Sequence, residues 1–235
     1  MSETLETIEI ETGSEPKAAV LWMHGLGADG NDFVPIVPEL GLPRELAVRF
    51  VFPHAPMIPV TLNGGYVMRA WYDVSFDGVS KRPDARGIRT SQAAIERLIA
   101  REKARGIDSR RIVLAGFSQG GAVTLQTGLR HAEPLAGLMV LSSYLPLADT
   151  VADERSTENL STPIFMAHGR EDSVIGIELA EQSVAQLKTL GYSVEWHEYA
   201  MEHSVCLQEI HDVAAWLTQV LTGTDTAAGT SPRRS

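Results

Sequence analysis

The sequence predicts an α/β fold in which a mainly parallel sheet is covered by helices on both faces. Continuous apolar runs of strand length, such as Ala18–Met23 and Ile112–Phe117, are typical of strands that are buried on both faces. They alternate along the chain with longer segments that carry apolar residues at helical spacing, of which 88–105 is the clearest. A length of 235 residues and a hydrophobic fraction of 44% suit one domain of this class with a sizeable core.

The predicted elements follow in chain order. The segment 5–11 alternates apolar and polar residues, which favours an edge strand. Further strands are expected at Ala18–Met23, 47–52, Ile112–Phe117, 138–142, 164–167 and 193–198. Helices are expected at 88–105, 119–131, 176–190 and 206–221.

The domain organisation is predicted to be simple, because no change in composition divides the chain. Residues 1–221 are expected to form a single domain, and 222–235, which lack apolar periodicity, a disordered C-terminal tail. The segment 54–87 is long for a connection inside a compact domain and is rich in proline, glycine and aromatic residues. Long connections of this kind are often functional.

Composition argues against several classes of function. The net charge of −10 disfavours nucleic acids and anionic membrane surfaces as partners. Cys206 is the only cysteine, so an intramolecular disulfide and a cysteine-rich zinc site are excluded. The acidic N-terminus lacks the apolar core of a signal peptide, and no apolar stretch approaches the ~20 residues of a membrane span. A cytoplasmic protein without a membrane span is therefore predicted.

The pattern Gly-x-Ser-x-Gly is centred on Ser118, at the junction of a predicted strand and a predicted helix. A serine on such a sharp turn has a strained backbone and an Oγ that is lifted clear of the main chain. Gly116 and Gly120 lie where a Cβ would collide with the turn. The position of the motif, more than the motif itself, indicates that Ser118 is a nucleophile.

A serine hydroxyl needs a base, and the base needs a group that orients it. In a strand–turn–helix arrangement of this kind, the acid and then the histidine are expected later in the chain. Asp172 follows a predicted strand and a glycine turn and is the expected acid, with Glu171 as its neighbouring competitor and a helix cap as its alternative role. Among seven histidines, His203 alone lies in the loop between the last strand and the last helix. It is the expected base, with a surface loop histidine as the alternative.

Two backbone N–H groups are candidates for stabilising the oxyanion of an acyl-transfer reaction. The N–H of Gln119 follows the nucleophile at the start of a helix. The N–H of Leu26 lies in the glycine-rich loop 24–30 after an early strand, for which a plain turn is the alternative.

Several motifs then occur together in a fixed order over residues 18–217: His24-Gly-Leu-Gly, Asn63-Gly-Gly, Met68-Arg-Ala-Trp-Tyr-Asp, Gly116-Phe-Ser-Gln-Gly-Gly, His168-Gly-Arg-Glu-Asp-Ser-Val and His203-Ser-Val. Together they resemble the carboxylesterase/acyl-protein thioesterase family of α/β-hydrolases. The resemblance implies the α/β-hydrolase fold, and the chain leaves no room for a large cap domain. It also implies a triad of Ser118, Asp172 and His203, an oxyanion hole from the N–H groups of Leu26 and Gln119, and no metal or organic cofactor.

Two features depart from the family pattern. Glu202 stands immediately before the histidine, where the family commonly has glycine, and the chain continues beyond residue 221. Neither departure changes a residue of the expected triad.

The expected function is that of a serine carboxylesterase that hydrolyses short-to-medium-chain esters of small molecules through an acyl-enzyme. An acyl-protein thioesterase or a lysophospholipase, which would use the same catalytic residues, is the alternative. A non-catalytic scaffold is disfavoured because all three triad residues are retained. A dienelactone-hydrolase-like enzyme is disfavoured because position 118 is serine rather than cysteine.

The acyl group is expected to be bound by apolar residues of the segment 54–77 and of the acid loop. The chosen candidates are Met57, Leu62, Trp71 and Val174, with core packing as the alternative for such residues. If the segment 54–77 is exposed, it could also pair two copies of the chain, so a homodimer is a possible assembly.

Overall fold

The computed structural model of the protein describes residues 4–76 and 81–223. Within them, strands β1 to β11 are Thr7–Glu11, Ala18–Met23, Val48–Pro53, Met57–Val60, Tyr66–Arg69, Val74–Phe76, Lys81–Pro83, Ile112–Phe117, Gly137–Leu141, Ile164–Gly169 and Val194–Tyr199. Helices α1 to α6 are Ile36–Glu39, Ala85–Ala104, Gln119–Gly128, Val151–Glu154, Ile177–Thr189 and Leu207–Thr222.

Seven of these strands form one central sheet in the order β1-β3-β2-β8-β9-β10-β11. All neighbours in it are parallel except β1, which pairs antiparallel with β3 at one edge. The predicted mainly parallel sheet is therefore confirmed, and the alternating segment 5–11 does contain the edge strand. The order also places β8, which leads into Ser118, near the middle of the sheet.

Apolar side chains cover the sheet on both faces, because successive residues of a strand point to opposite sides. In β2, Leu21 packs into a cluster that includes Leu98 of α2. Its neighbour Trp22 packs into a second cluster that includes Leu217 of α6. The prediction of helices on both faces is thus confirmed.

The segment between β3 and α2 contains two antiparallel hairpins, β4–β5 and β6–β7, that the sequence did not indicate. Each strand is only three or four residues long, which is too short for a period of two to stand out. β4 also contains Pro59, a residue that argues against a strand in sequence-based assignment.

The predicted domain boundary and C-terminal tail stay predictions. α6 continues through Thr222, one residue beyond the expected domain boundary. The expected disordered tail lies, from residue 224 onward, outside the described residues, and the single-domain assignment stays a prediction. Among residues 4–76 and 81–223, we find no helix with both the length and the apolar character needed to cross a membrane.

Candidate active site

The expected catalytic residues all follow the carboxyl ends of parallel strands of the central sheet. Ser118 follows β8, Asp172 follows β10 and His203 follows β11. Leu26 lies just after β2, the neighbour of β8. Because parallel strands end at the same edge of a sheet, residues far apart in the chain meet there.

Ser118 occupies the turn between β8 and α3 with φ 55° and ψ −120°, a backbone conformation that is rare for a residue other than glycine. Its N–H donates to the Leu141 carbonyl at 2.9 Å, and its own carbonyl accepts from Ser143 Oγ at 2.6 Å. Both bonds tie the turn to the end of β9 and hold it in the strained conformation.

Close backbone packing explains the two glycines of the motif. A Cβ on Gly116 would lie 2.2 Å from the carbonyl carbon and oxygen of Gly120. A Cβ on Gly120 would lie 2.2 Å from the Met23 carbonyl oxygen at the end of β2. The N-terminus of α3 therefore rests directly on the backbone of β2, which brings the loop after β2 next to Ser118.

A hydrogen-bonded chain joins the three expected catalytic side chains. His203 Nε2 lies 2.9 Å from Ser118 Oγ, and His203 Nδ1 lies 2.6 Å from Asp172 Oδ2. The Asp172 side chain is fully buried, whereas that of His203 is partly exposed. This geometry suits a histidine that receives the serine proton on one nitrogen while the carboxylate orients the other.

The surroundings of Asp172 distinguish it from the competing acid Glu171 and bear on its alternative role as a helix cap. Glu171 is exposed to solvent. Asp172 is not the cap of α5, which begins at Ile177 with Gly176 as the capping residue. Its Oδ1 does accept the backbone N–H groups of Val174 and Ile175, each at 2.9 Å, so that the carboxylate also shapes the loop before the helix.

Leu26 lies in a loop that passes close to Ser118. A Cβ on the preceding Gly25 would lie 3.4 Å from Ser118 Cβ, which shows how closely this loop approaches the serine. Within the part of the chain that the structure describes, no acceptor is bonded to the Leu26 N–H. The N–H of Gln119 opens α3 from the other side, where the first amides of a helix lack partners within the helix.

A cleft of about 730 Å³ opens above Ser118 and His203. Its apolar wall is formed by side chains from several loops and elements: Leu26, Leu62, Val74, Phe117, Leu145, Pro146, Leu147, Val174, Ile175 and Leu179. The lining also contains the carboxylate of Asp32 and the imidazole of His203, the expected base. The volume is that of a site for a small organic molecule or one long chain.

The cleft contains two of the four residues that were expected to bind the acyl group. Leu62 and Val174 line it, whereas Met57 and Trp71 do not. Met57 lies on β4 with 55% of its surface exposed to solvent. Trp71 is 2% exposed and packs in the core, so for this residue core packing is the correct interpretation.

Tyr144 is a cleft residue that was not predicted from the sequence, and it contacts Tyr72 of the segment 54–77. The phenol oxygens of Tyr72 and Tyr144 lie 3.0 Å apart, and both residues line the cleft. Burial raises the pKa of both hydroxyls, so both remain protonated donors. Tyr144 comes soon after the end of β9, and this position beside the other site loops is the signal that could have identified it.

Glu202, which replaces the usual glycine, is exposed. The close packing at this loop involves its main chain instead. A Cβ on Gly169 would lie 2.5 Å from the Glu202 carbonyl oxygen and 2.2 Å from that of Met201. The glutamate side chain therefore points away from the tightly packed contact that positions His203.

Comparison with known proteins adds sequence evidence to this geometry. The family model described as phospholipase/carboxylesterase matches residues 5–221. Acyl-protein thioesterase 1 of Neurospora crassa is 41% identical over 213 residues, which cover 87% of each chain. Acyl-protein thioesterase 1 of Gibberella zeae is 38% identical over 217 residues, covering 88% of this chain and 92% of that relative.

Solved structures agree with the fold. The crystal structure of acyl-protein thioesterase 2 of Zea mays matches with a TM-score of 0.81 and 29% identity, covering 92% of this chain and 99% of that one. The family match spans nearly the whole described chain, and the structural match covers 92% of this chain. The chain therefore belongs to the phospholipase/carboxylesterase family of serine hydrolases and has the α/β-hydrolase fold.

Proposed function

We propose that the protein is a thioesterase of the acyl-protein type, which removes a fatty acyl group from a cysteine side chain through an acyl-enzyme on Ser118. The observation that carries the proposal is the hydrogen-bonded chain from Ser118 through His203 to Asp172 at the base of an apolar cleft. The relatives named acyl-protein thioesterase 1 favour this function over the carboxylesterase activity that was the first expectation from the sequence.

In the first half of the reaction, His203 Nε2 takes the proton of Ser118 as Oγ attacks the acyl carbonyl carbon. The C–S bond then breaks, and His203 returns the proton to the departing thiolate. In the second half, water attacks the acyl-enzyme with the same proton transfers and releases the fatty acid. The buried Asp172 carboxylate accepts the Nδ1–H, which leaves the Nε2 lone pair directed at the serine.

The negative charge on the tetrahedral oxygen needs donors that are already in place. The N–H groups of Leu26 and Gln119 are the proposed pair, because both residues line the same cleft as Ser118. Removing one such donor costs a factor of ~10²–10³ in turnover in other serine hydrolases.

The cleft supports a hydrocarbon substrate. Leu62 and Val174 lie on its wall among other apolar side chains, and each methylene group that leaves water there contributes about 0.8 kcal/mol. Within the described part of the chain, the lining includes no lysine or arginine, which disfavours the anionic headgroup of a lysophospholipid. A neutral oxygen ester remains the second candidate, because the same site and wall would accept it.

The test combines labelling with a substrate panel. A fluorophosphonate probe should label the wild-type protein and leave Ser118→Ala unlabelled, and kcat of the variant should fall by roughly 10⁶. Turnover of S-acyl cysteine peptides should rise from octanoyl to palmitoyl chains. Labelling of Ser118→Ala would rule out Ser118 as the nucleophile. Turnover of short p-nitrophenyl esters without any thioester hydrolysis would instead favour the carboxylesterase.

A further inference from the structure

Trp71 lies between the two loops that supply the proposed oxyanion donors. Its indole Nε1–H donates to the His24 carbonyl at 2.8 Å, just before the loop that contains Leu26. Its main-chain N–H donates to the side-chain Oε1 of Gln119 at 3.0 Å. A single buried residue is thus bonded to both sides of the hole while lying outside the cleft.

The contact with Gln119 is a two-point clamp. The Gln119 side chain also donates from Nε2 to the Tyr72 carbonyl at 2.9 Å, so its amide group matches the peptide segment 71–72 at both ends. The Trp71 carbonyl in turn accepts a hydrogen bond from Ser91 Oγ of α2. Trp71 therefore has its main-chain N–H, its carbonyl and its indole N–H all bonded, and its position is fixed by the core.

The contact with His24 acts on the neighbouring peptide. His24 Nε2 accepts the Ala55 N–H at 3.1 Å, so the proton is on Nδ1, which donates to the Gly25 carbonyl at 2.7 Å. In a trans peptide the C=O and the next N–H point in opposite directions. Fixing the Gly25 carbonyl toward the imidazole therefore turns the Leu26 N–H away from the imidazole.

We propose that Trp71 is a positioning residue that sets the spacing and direction of both oxyanion donors, through His24 on one side and Gln119 on the other. This inference rests on the oxyanion hole of the proposed function, but it is independent of whether the substrate is a thioester or an oxygen ester. Displacements of about 1 Å at an active site cost about 10²-fold in rate. Loss of the indole N–H should therefore lower kcat without changing how the ground state is bound.

The chain offers a matched control for this bond. Trp22 is also fully buried, but its Nε1 has no hydrogen-bonding partner among the described residues and its ring stacks on Phe33. Trp71→Phe and Trp22→Phe thus remove the same atoms from a core, and only Trp71→Phe breaks a hydrogen bond. With a p-nitrophenyl ester, we expect kcat of Trp71→Phe to fall about 10- to 100-fold with KM within about twofold. Trp22→Phe should keep kcat within about threefold.

A spectroscopic measurement reports on the hole itself. A ¹³C-labelled peptidyl or alkyl trifluoromethyl ketone forms a hemiketal with the catalytic serine, and the pKa of its hydroxyl group measures how well the hole stabilises the oxyanion. Trp71→Phe should raise that pKa and weaken inhibitor binding by the same factor as kcat/KM. Trp22→Phe should change neither. If Trp71→Phe only lowered the Tm, the hemiketal pKa, the inhibitor affinity and kcat/KM would all stay unchanged at a temperature where the variant is folded.

A second variant keeps the proposal testable if Trp71→Phe does not fold. Gln119→Met removes both amide bonds but retains the backbone N–H, and kcat should again fall with KM nearly unchanged. The factor by which kcat falls in the double variant should be smaller than the product of the factors in the two single variants, because both sets of hydrogen bonds act through Trp71. Equal effects of Trp71→Phe and Trp22→Phe, or an unchanged hemiketal pKa, would overturn the inference. Neither result bears on Ser118, whose role is tested by the Ser118→Ala variant.

Discussion

The two oxygens of the Asp172 carboxylate bind different parts of the molecule. Oδ2 accepts from the imidazole of His203 at 2.6 Å, and Oδ1 accepts two backbone N–H groups of the following loop, including that of Val174. Val174 lines the cleft. One buried side chain therefore orients the proposed base and shapes the wall that the substrate would contact.

Asp172→Asn should separate these two roles. The asparagine carbonyl can still accept the two loop N–H groups, while its NH₂ would face His203 Nδ1 and force the wrong imidazole tautomer. We expect kcat to fall by about 10⁴, with KM and Tm little changed. Steady-state kinetics and thermal unfolding measure this directly. Glu171→Gln, at the exposed neighbouring acid, is the control and should leave kcat unchanged, and a comparable loss there would contradict the assignment.

At the scale of elements, α6 contains a buried acid that the proposed mechanism does not use. Glu209 is 1% exposed, and no side chain among the described residues donates a hydrogen bond to its carboxylate. Burial raises the pKa of Glu209 to about 8, and the negative Asp212 adds to the rise, while the Cys206 backbone at the helix start opposes it. The folded protein therefore holds a proton that the unfolded chain releases at much lower pH.

The consequence is a stability that decreases with rising pH. Between about pH 4.5 and pH 8 the unfolded chain binds fewer protons at Glu209 than the folded protein, so the free energy of unfolding falls across this window. Glu209→Gln removes the titration. Its Tm should exceed that of the wild type by at least about 2 °C at pH 8.5, and the gain should shrink toward pH 5.

Thermal unfolding at several pH values tests this expectation. Glu181→Gln, at an exposed acid of α5, serves as the control and should leave the pH profile of Tm unchanged. A constant Tm difference between Glu209→Gln and wild type at every pH would show that the carboxyl group does not titrate in this window.

The elements that the sequence predicted best are those buried on both faces. The bounds of β2 and β8 agree with the prediction residue for residue, because a continuous apolar run has clear ends. β3 begins at Val48 instead of residue 47, since Ala47 has a left-handed backbone with φ 43°. The hairpin β4–β5 was not predicted, because its pairing depends on contacts outside its own short sequence.

At the scale of the whole molecule, chain order made the site predictable. Ser118, Asp172 and His203 each follow a strand, and the parallel sheet brings strand ends together whatever their distance in sequence. The positions of Met57 and Trp71 outside the cleft could not be predicted in this way. Both lie in the segment 54–77. The course of this segment depends on tertiary packing, and a local sequence pattern does not predict such packing.

The exposed apolar surface of the β4–β5 hairpin bears on assembly. Met57, Tyr66 and Val67 are 55%, 70% and 50% exposed, which is unusual for large apolar residues grouped on one hairpin. The homodimer that the sequence suggested as a possible assembly stays a prediction, and this hairpin is the surface on which we place it. Sedimentation equilibrium should show a dimer that Val67→Glu converts to monomer.

A matched variant distinguishes this surface from general hydrophobicity. Leu207 is 69% exposed at the start of α6, so Leu207→Glu removes a comparable apolar side chain from another element. It should leave the dimer intact. A wild-type protein that is monomeric at all accessible concentrations, or one that Leu207→Glu dissociates equally, would contradict the placement.

The proposed oxyanion donors at Leu26 and Gln119 are main-chain groups. Side-chain substitutions at these positions can therefore change the selectivity for the acyl group separately from the catalysed reaction. Leu26 lines the cleft, while its N–H is a proposed oxyanion donor. A substitution at this position can thus change which acyl group fits without removing a donor. Descendants of such a chain can diversify their substrates one wall residue at a time while the reaction itself is preserved.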